Sequence, residues 1–180
     1  MQVFARLGKA AFGDDVLLRA VVDEVEKEGF SVVGPHEIEP GLITAEGVLG
    51  RHQPSAQNAA DLDFGIRVTK TLGELDVGQA AVVQQGVVIG LEAVEGTEAL
   101  LSRCRKHRRA GIGGVLVKSC KPQQDRRVDL PTIGLRTVRQ AFEAGLSGIA
   151  VEAGASLILD REAVVSAADK LGLFIVGFKP

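Results

Sequence analysis

The residues best suited to chemistry lie in one segment, 118–131, which reads KSCKPQQDRRVDLP. It carries two carboxylates, Asp125 and Asp129, together with four Lys or Arg side chains. Lys and Arg bind phosphate oxygens, while an aspartate can coordinate Mg²⁺ or orient an attacking water. The segment therefore has the side chains for metal-assisted hydrolysis of a phosphate compound. The alternative is a solvated loop with exposed ion pairs worth about 0–1 kcal/mol each, and composition alone leaves both open.

A second cluster of reactive side chains is the segment 92–97, which reads EAVEGT. Glu92 and Glu95 could complete a metal site, because hard divalent cations take oxygen ligands from several loops. Gly96 and Thr97 could present the amides of a helix N-terminus to a phosphate. The ordinary alternative is that Thr97 caps the helix and that the acidic side chains favour the helix dipole.

The densest positive charge is the run 103–109, which reads RCRKHRR. On a helix these side chains would surround most of the circumference, which is typical of a solvated helix end. The functional alternative is a patch that binds the phosphates of an anionic lipid or a nucleotide, since each Lys or Arg near a charged bilayer is worth about 1 kcal/mol.

Several other kinds of site lack support in the sequence. The three histidines show no zinc-ligand spacing with one another or with the two cysteines. No Ser/His/Asp or Cys/His arrangement stands out, and neither a Walker motif nor a dinucleotide-binding GxGxxG opens a helix. Covalent nucleophilic catalysis, nucleotide-driven phosphotransfer and nicotinamide chemistry are therefore not favoured.

The composition is that of an ordinary globular protein, with 46% hydrophobic and 24% charged residues in a chain of 180. A net charge of -2, with seven Phe and no Trp or Tyr, argues against nucleic-acid binding. Two cysteines are not a disulfide framework, so we expect a reducing, cytoplasmic environment. No apolar run approaches the roughly 20 residues that cross a bilayer, and we expect a soluble or peripheral protein.

Hydrophobic periodicity predicts an α/β fold. Apolar residues at helical spacing predict helices at about 14–29, 58–72, 97–109, 135–144 and 160–172. Runs rich in β-branched residues predict strands at 30–33, 80–84, 87–91, 114–117, 149–151, 157–159 and 173–176, with a long loop over 34–55. The two residues Gln85 and Gly86 predict a tight hairpin turn. We therefore expect a single domain with a mixed β-sheet that contains one β-hairpin and is flanked by helices.

A set of short motifs spans nearly the whole chain after about residue 12. They are LDVGQA at 75–80, VEGT at 94–97, VK at 117–118, KP at 121–122, QD at 124–125, DLPTIG at 129–134, GIAVEAG at 148–154 and LFIVG at 173–177. In this order they resemble the LpxI family of UDP-diacylglucosamine pyrophosphatases. Several ordered motifs are more specific than any single cluster of polar residues.

The resemblance implies hydrolysis of UDP-2,3-diacylglucosamine to UMP and 2,3-diacylglucosamine 1-phosphate, a step of lipid A biosynthesis, with water attacking the α-phosphate and Mg²⁺ assisting. It implies that Asp125 is the first candidate for the catalytic or metal-binding acid and Asp129 the second, with Glu95 as a further metal ligand. The residues implied to bind phosphates or the sugar are Gly96, Thr97, Lys118, Lys121, Gln124 and Arg127. The expected partners are the lipid substrate, its product and, peripherally, the cytoplasmic face of the inner membrane, and we expect a homodimer for the full-length protein.

Members of this family also carry a separate N-terminal α/β domain. We expect that domain to be absent here, with residues 1–12 as a remnant of the interdomain linker and residues 13–180 as the C-terminal catalytic domain. Two other functions stay open on the sequence. One is a non-catalytic module that binds lipid or nucleotide phosphates and is inactive without the missing domain. The other is a dimerising domain that associates through the valine-rich hairpin at 80–91.

Overall fold

A computed structural model describes residues 14–180, so the predicted linker remnant at 1–12 lies outside the described residues. The helices are α1 (Asp14–Lys27), α2 (Pro35–Ile38), α3 (Ala56–Glu74), α4 (Gly96–His107), α5 (Leu135–Glu143) and α6 (Arg161–Leu171), with a 3₁₀ turn at Pro40–Leu42. The strands are β1 (Gly47–Leu49), β2 (Ala80–Gln84), β3 (Val87–Leu91), β4 (Val115–Lys118), β5 (Thr132–Ile133), β6 (Gly148–Glu152), β7 (Leu157–Ile158) and β8 (Phe174–Phe178).

Six of these strands form one mixed sheet in the order β1-β8-β6-β4-β2-β3. The three central strands β4, β6 and β8 are parallel, while β2, β3 and β1 run antiparallel to their neighbours. The continuous apolar runs of β4 and β8 are buried along their whole length, as expected for parallel strands covered on both faces. This arrangement confirms the predicted α/β fold with a mixed sheet and one hairpin.

Helices cover both faces of the sheet. On one face α3 packs against β2 and β4, and Gly65 permits this close approach because a Cβ there would meet the Val117 side chain. On the other face α4, α5 and α6 enclose the larger core, which includes Leu100, Val138 and Val164. The hairpin turn has positive φ at Gln85 (52°) and Gly86 (73°), the conformation of a type I′ turn.

The sheet topology brings the ends of several strands together along one edge of the sheet, namely the edge formed by the carboxyl ends of the parallel strands. Lys118 is the last residue of β4 and Glu152 the last of β6, and parallel pairing places both at the same edge. The antiparallel hairpin starts and ends there as well, because Gln79 precedes β2 and Glu92 follows β3. This edge is where ligands bind in open α/β sheets.

Three local predictions were wrong. Residues 30–33 form no strand, since Phe30 and Val33 are exposed and the segment joins no ladder. The stretch 34–55 is not one long loop, because it contains α2, the 3₁₀ turn and the edge strand β1. Thr97 does not cap α4, since it is the second residue of that helix and its hydroxyl donates to Glu92.

Across the part of the chain that the structure describes, none of the helices has the length and apolar composition of a membrane-spanning segment.

Candidate functional site

A cavity of about 600 Å³ opens at the edge where these strand ends meet. Its wall combines the residues before β2, the segment between β3 and α4, the loop after β4 and one side of α1. The polar residues that line it are Asp76, Gln79, Glu92, Lys121 and Asp129, and its apolar residues include Leu17, Val77 and Val94. The cavity therefore unites the two segments that the sequence singled out, 92–97 and 118–131.

Beside the cavity, a chain of hydrogen bonds links three buried or half-buried side chains. The Lys118 ammonium donates to the Thr97 hydroxyl at 2.9 Å and to the Thr132 carbonyl at 3.3 Å. The Thr97 hydroxyl donates to one carboxylate oxygen of Glu92, and the other carboxylate oxygen accepts from the backbone amide of Gln79 at 3.3 Å. Burial lowers the pKa of Lys118, and the nearby charges of Glu92 and Asp129 oppose that shift.

Gln124 organises the loop that follows β4. Its side-chain amide donates to Asp129 at 2.7 Å and to the Gln79 side chain at 3.2 Å. Its carbonyl oxygen accepts from the Lys121 backbone amide at 3.1 Å. Because Gln124 is only 6% exposed, it orients Asp129 and Lys121 rather than presenting its own amide to solvent.

The segment 118–131 is not a solvated loop. Lys118, Ser119, Cys120, Gln124 and Leu130 are all buried. Such polar groups are held inside only when they are hydrogen-bonded, as the contacts of Lys118 and Gln124 show. The solvated-loop alternative therefore does not describe this part of the chain.

Asp125 is tied to Arg127. One carboxylate oxygen accepts from the Arg127 backbone amide and Nε, and the other accepts from Nη2 at 2.7 Å. The hydrogen bond from the Arg127 side chain lowers the pKa of Asp125 below its usual value. Arg127 also pairs with Glu26 of α1 at 2.7 Å. Arg127 therefore forms ion pairs with two carboxylates. Asp125 is not among the residues that line the cavity.

An ion pair between a half-buried lysine and a buried glutamate supports the start of this loop. Glu152, 5% exposed at the end of β6, accepts from Lys70 of α3 at 2.8 Å and from the Cys120 backbone amide at 3.0 Å. The pair thus fastens the first residues after β4 to the neighbouring strand and to a helix. Both cysteines of the chain are buried and unpaired.

The predicted Mg²⁺ ligands are not gathered into a preformed cage. Asp125 pairs with Arg127, and Glu95 pairs with Arg103 at 2.7 Å. Among the described residues, no group of three or more His, Cys, Asp or Glu side chains could hold a metal ion. Asp129 does face the cavity. Its carboxylate fits the usual pattern for Mg²⁺, in which one or two carboxylates act together with substrate phosphates.

Apart from Arg103, which pairs with Glu95, the basic run 103–109 lies toward the end of α4 that is farther from the cavity. Helix α4 begins beside the cavity at Gly96 and carries Arg105, Lys106 and His107 in its last turn. A helix of 12 residues is about 18 Å long at 1.5 Å per residue. All residues of the run except the buried Cys104 are exposed, which matches the interpretation as a solvated helix end.

The structure adds Gln79 and Glu152 to the site and gives Glu92 contacts that the sequence did not predict. Glu92 was considered only as a metal ligand, while Gln79 and Glu152 were quoted within motifs without a role. Gln79 and Glu92 are separated by the whole hairpin, and only the pairing of β2 with β3 brings them together. The signal in the sequence that could have identified these residues was their position at or directly beside the ends of predicted strands.

Comparison with known proteins gives two family matches. The model described as the LpxI C-terminal domain matches residues 45–176, and the model described as the LpxI N-terminal domain matches residues 1–42. A protein of Caulobacter vibrioides named UDP-2,3-diacylglucosamine pyrophosphatase LpxI is 49% identical over 174 residues. The alignment covers 93% of this chain and 62% of that protein, so the chain spans less than two thirds of that relative's length.

The expectation that the N-terminal domain is absent was wrong, because residues 1–42 match its family model. Periodicity did not reveal it, since the matching segment shows only one clear helical pattern, at about 14–29. The part of this segment that the structure describes touches the site. Leu17 and Leu18 of α1 line the cavity, and Glu26 binds Arg127.

Proposed function

The chain belongs to the LpxI family, and from this we propose that it hydrolyses the pyrophosphate bond of UDP-2,3-diacylglucosamine. Water attacks the α-phosphate, and the products are UMP and 2,3-diacylglucosamine 1-phosphate, in a step of lipid A biosynthesis. The observation that carries the proposal is the cavity at the strand ends, where Lys121, Asp129 and the N-terminus of α4 meet. The name of the Caulobacter vibrioides relative supports the choice of substrate.

The residues around the cavity can divide the work of hydrolysis. The N-terminus of α4 at Gly96 and Thr97 carries the positive end of the helix dipole, which favours phosphate oxygens. Lys121 supplies a cation on the same wall, while Asp129 can orient a water molecule. Gln124 fixes Asp129 by its 2.7 Å hydrogen bond. We retain Asp125 as the first candidate for the catalytic acid.

Mg²⁺ is part of the proposal. Three carboxylates and one ammonium line the cavity, namely Asp76, Glu92, Asp129 and Lys121, and a diphosphate adds further negative charge. A divalent cation would offset this charge and stabilise the phosphate oxygens in the transition state. Asp129 would hold the ion together with the substrate phosphates, and Asp125 and Glu95 remain predicted ligands.

We also propose peripheral contact with the cytoplasmic face of the inner membrane and a homodimeric full-length protein. Val94 is fully exposed at the rim of the cavity, and Val77 and Leu17 are partly exposed beside it. An apolar rim suits a substrate that carries acyl chains. Co-sedimentation with vesicles of phosphatidylethanolamine and phosphatidylglycerol tests the contact, with Val94→Ser expected to weaken it. Analytical ultracentrifugation tests the dimer.

The activity is tested by incubating the protein with UDP-2,3-diacylglucosamine and Mg²⁺ in water enriched in ¹⁸O. We expect UMP that carries one ¹⁸O atom, because the attack is on the α-phosphorus. Asp125→Ala and Asp129→Ala should each lower kcat on the order of 10³-fold while the circular dichroism spectrum is unchanged. Full activity of Asp125→Ala would remove that residue from the catalytic role. Binding without turnover would favour the non-catalytic phosphate-binding module.

A further inference from the structure

The side chains of Lys118, Thr97 and Glu92 form a hydrogen-bonded chain that the roles proposed above do not explain. Lys118 is 5% exposed and Glu92 6% exposed, and Lys118 is not among the residues that line the cavity. The predicted contact of Lys118 with a substrate phosphate stays a prediction, and in the structure its ammonium is bound by protein groups. Its contacts point inward, to Thr97 and to the Thr132 carbonyl.

The chemistry of these groups fixes the direction of every hydrogen bond. An ammonium only donates and a carboxylate only accepts, so the Thr97 hydroxyl must accept from Lys118 and donate to Glu92. The second carboxylate oxygen of Glu92 accepts from the backbone amide of Gln79. Thr97 is therefore held in one orientation at the first turn of α4, beside the cavity.

This orientation depends on the charge of Glu92. A buried ammonium is stable only with compensating negative charge close by. The charged groups that act on Lys118 from the surrounding elements are Glu92, which follows β3, and Asp129, in the loop after β4. If Lys118 lost its proton, its nitrogen could accept from Thr97, and the hydroxyl could turn away from Glu92.

We propose that Glu92 is a positioning residue for the hydrolysis: through the Thr97 hydroxyl it keeps Lys118 as an ammonium and holds the start of α4 in one orientation toward the phosphate. Glu92 thus acts through two other residues and does not itself contact the reacting atoms. The consequence for turnover rests on the proposed function, whereas the charge state of Lys118 can be measured without it.

The first test is an NMR titration of the protein labelled with ¹³C at lysine Cε. The chain has eight lysines, and loss of one signal in Lys118→Arg assigns the resonance of interest. In Glu92→Gln, an isosteric change that removes only the charge, we expect the Lys118 titration midpoint to move to lower pH. The sign follows because loss of a nearby negative charge disfavours the ammonium.

Two further variants make this measurement decisive. Thr97→Val removes the bridging hydroxyl at nearly constant shape and should also move the Lys118 midpoint to lower pH, so it replaces Glu92→Gln if that variant does not fold. Glu98→Gln is the matched control, because Glu98 is in the same turn of α4 but is exposed and paired with Arg136. It should leave the midpoint unchanged. An unchanged midpoint in folded Glu92→Gln would overturn the proposal.

The second test is the pH dependence of hydrolysis. We expect Glu92→Gln to lower kcat about 10- to 100-fold and to move the alkaline limb of kcat/KM to lower pH. Combining it with Lys118→Arg should abolish that movement, because a guanidinium keeps its charge. A wild-type pH profile in Glu92→Gln would mean that Glu92 only stabilises the fold. Absence of turnover in the unmutated protein would contradict the proposed function and leave the NMR test intact.

Discussion

Gln124 connects two parts of the site that are far apart in the sequence. Its amide joins Asp129 in its own loop to Gln79 before β2, while its carbonyl oxygen accepts from the Lys121 amide. A side-chain amide donates with its nitrogen and accepts with its oxygen, so one residue can hold both kinds of partner. The sequence resemblance assigned Gln124 to substrate binding, and its burial indicates that it supports Asp129 and Lys121.

At this scale we predict that Gln124→Leu lowers the free energy of unfolding by about 1–3 kcal/mol, because it leaves buried hydrogen-bonding groups unpaired. Urea denaturation followed by circular dichroism measures the change. Gln140→Leu, at a half-buried position on α5, is the matched control and should change stability by less than about 0.5 kcal/mol. Equal stability of the two variants would show that the Gln124 contacts contribute little.

At the scale of elements, the sequence predicted the helices and strands that are specified by residues close together in the chain. The helices that begin near residues 56, 135 and 161 and the hairpin at 80–91 agree closely with the structure, because periodicity and turn residues specify them. The strand predicted at 30–33 failed because its apolar residues have no partner strand. The strand predicted at 157–159 agrees with β7, but its two-residue partner β5 was not predicted, because β5 is defined by its pairing with β7 and its local pattern is too short.

The same limit applies to the site. Segment 118–131 was identified because its reactive residues are contiguous and follow an apolar strand. The link from Lys118 through Thr97 to Glu92 was not predicted, since it requires the ends of β4 and β3, which lie on either side of β2, to come close to the start of α4. The contact of Arg127 with Glu26 was missed for the same reason, because the two residues are 101 positions apart.

The ion pair of Lys70 and Glu152 joins α3, β6 and the loop after β4, so its loss should destabilise the packing of all three elements. We predict that Lys70→Met lowers the free energy of unfolding by about 2–3 kcal/mol, because it leaves the Glu152 carboxylate buried without a counter-charge. The double variant Lys70→Met/Glu152→Leu should recover part of the loss. Thermal and urea unfolding would measure both.

An exposed pair is the control for this prediction. Lys179 and Glu46 also form an ion pair, but their side chains are 69% and 59% exposed. Lys179→Met should therefore change the free energy of unfolding by only about 0–1 kcal/mol. If Lys70→Met were as mild as Lys179→Met, the pair of Lys70 and Glu152 would not fasten the loop to α3 and β6.

At the scale of the whole molecule, the two ends of the sheet carry different chemistry. The edge at the carboxyl ends of β4 and β6 holds the cavity, the ion pair of Lys70 and Glu152 and the N-terminus of α4. The opposite end receives the C-terminus of α4 with its exposed basic side chains, which favourably oppose the negative end of the helix dipole. The basic run therefore has a structural explanation that does not involve the substrate.

The separation of the cavity from the basic end of α4 leads to a prediction that distinguishes the two interpretations of the basic run, a solvated helix end and a phosphate-binding patch. In a detergent-dispersed assay, changing Arg105, Lys106 and Arg108 together to Gln should leave kcat and KM for UDP-2,3-diacylglucosamine within about twofold of the unmutated protein. The reason is the distance of about 14–18 Å along α4 from Gly96 to these residues, over which exposed charges are largely screened at physiological salt. Lys121→Gln, on the cavity wall, is the comparison and should raise KM about tenfold or more, as expected for loss of a charged contact worth about 1.5–3 kcal/mol. A raised KM in the triple variant, with Lys121→Gln unaffected, would instead show that the phosphates bind at the basic end of α4.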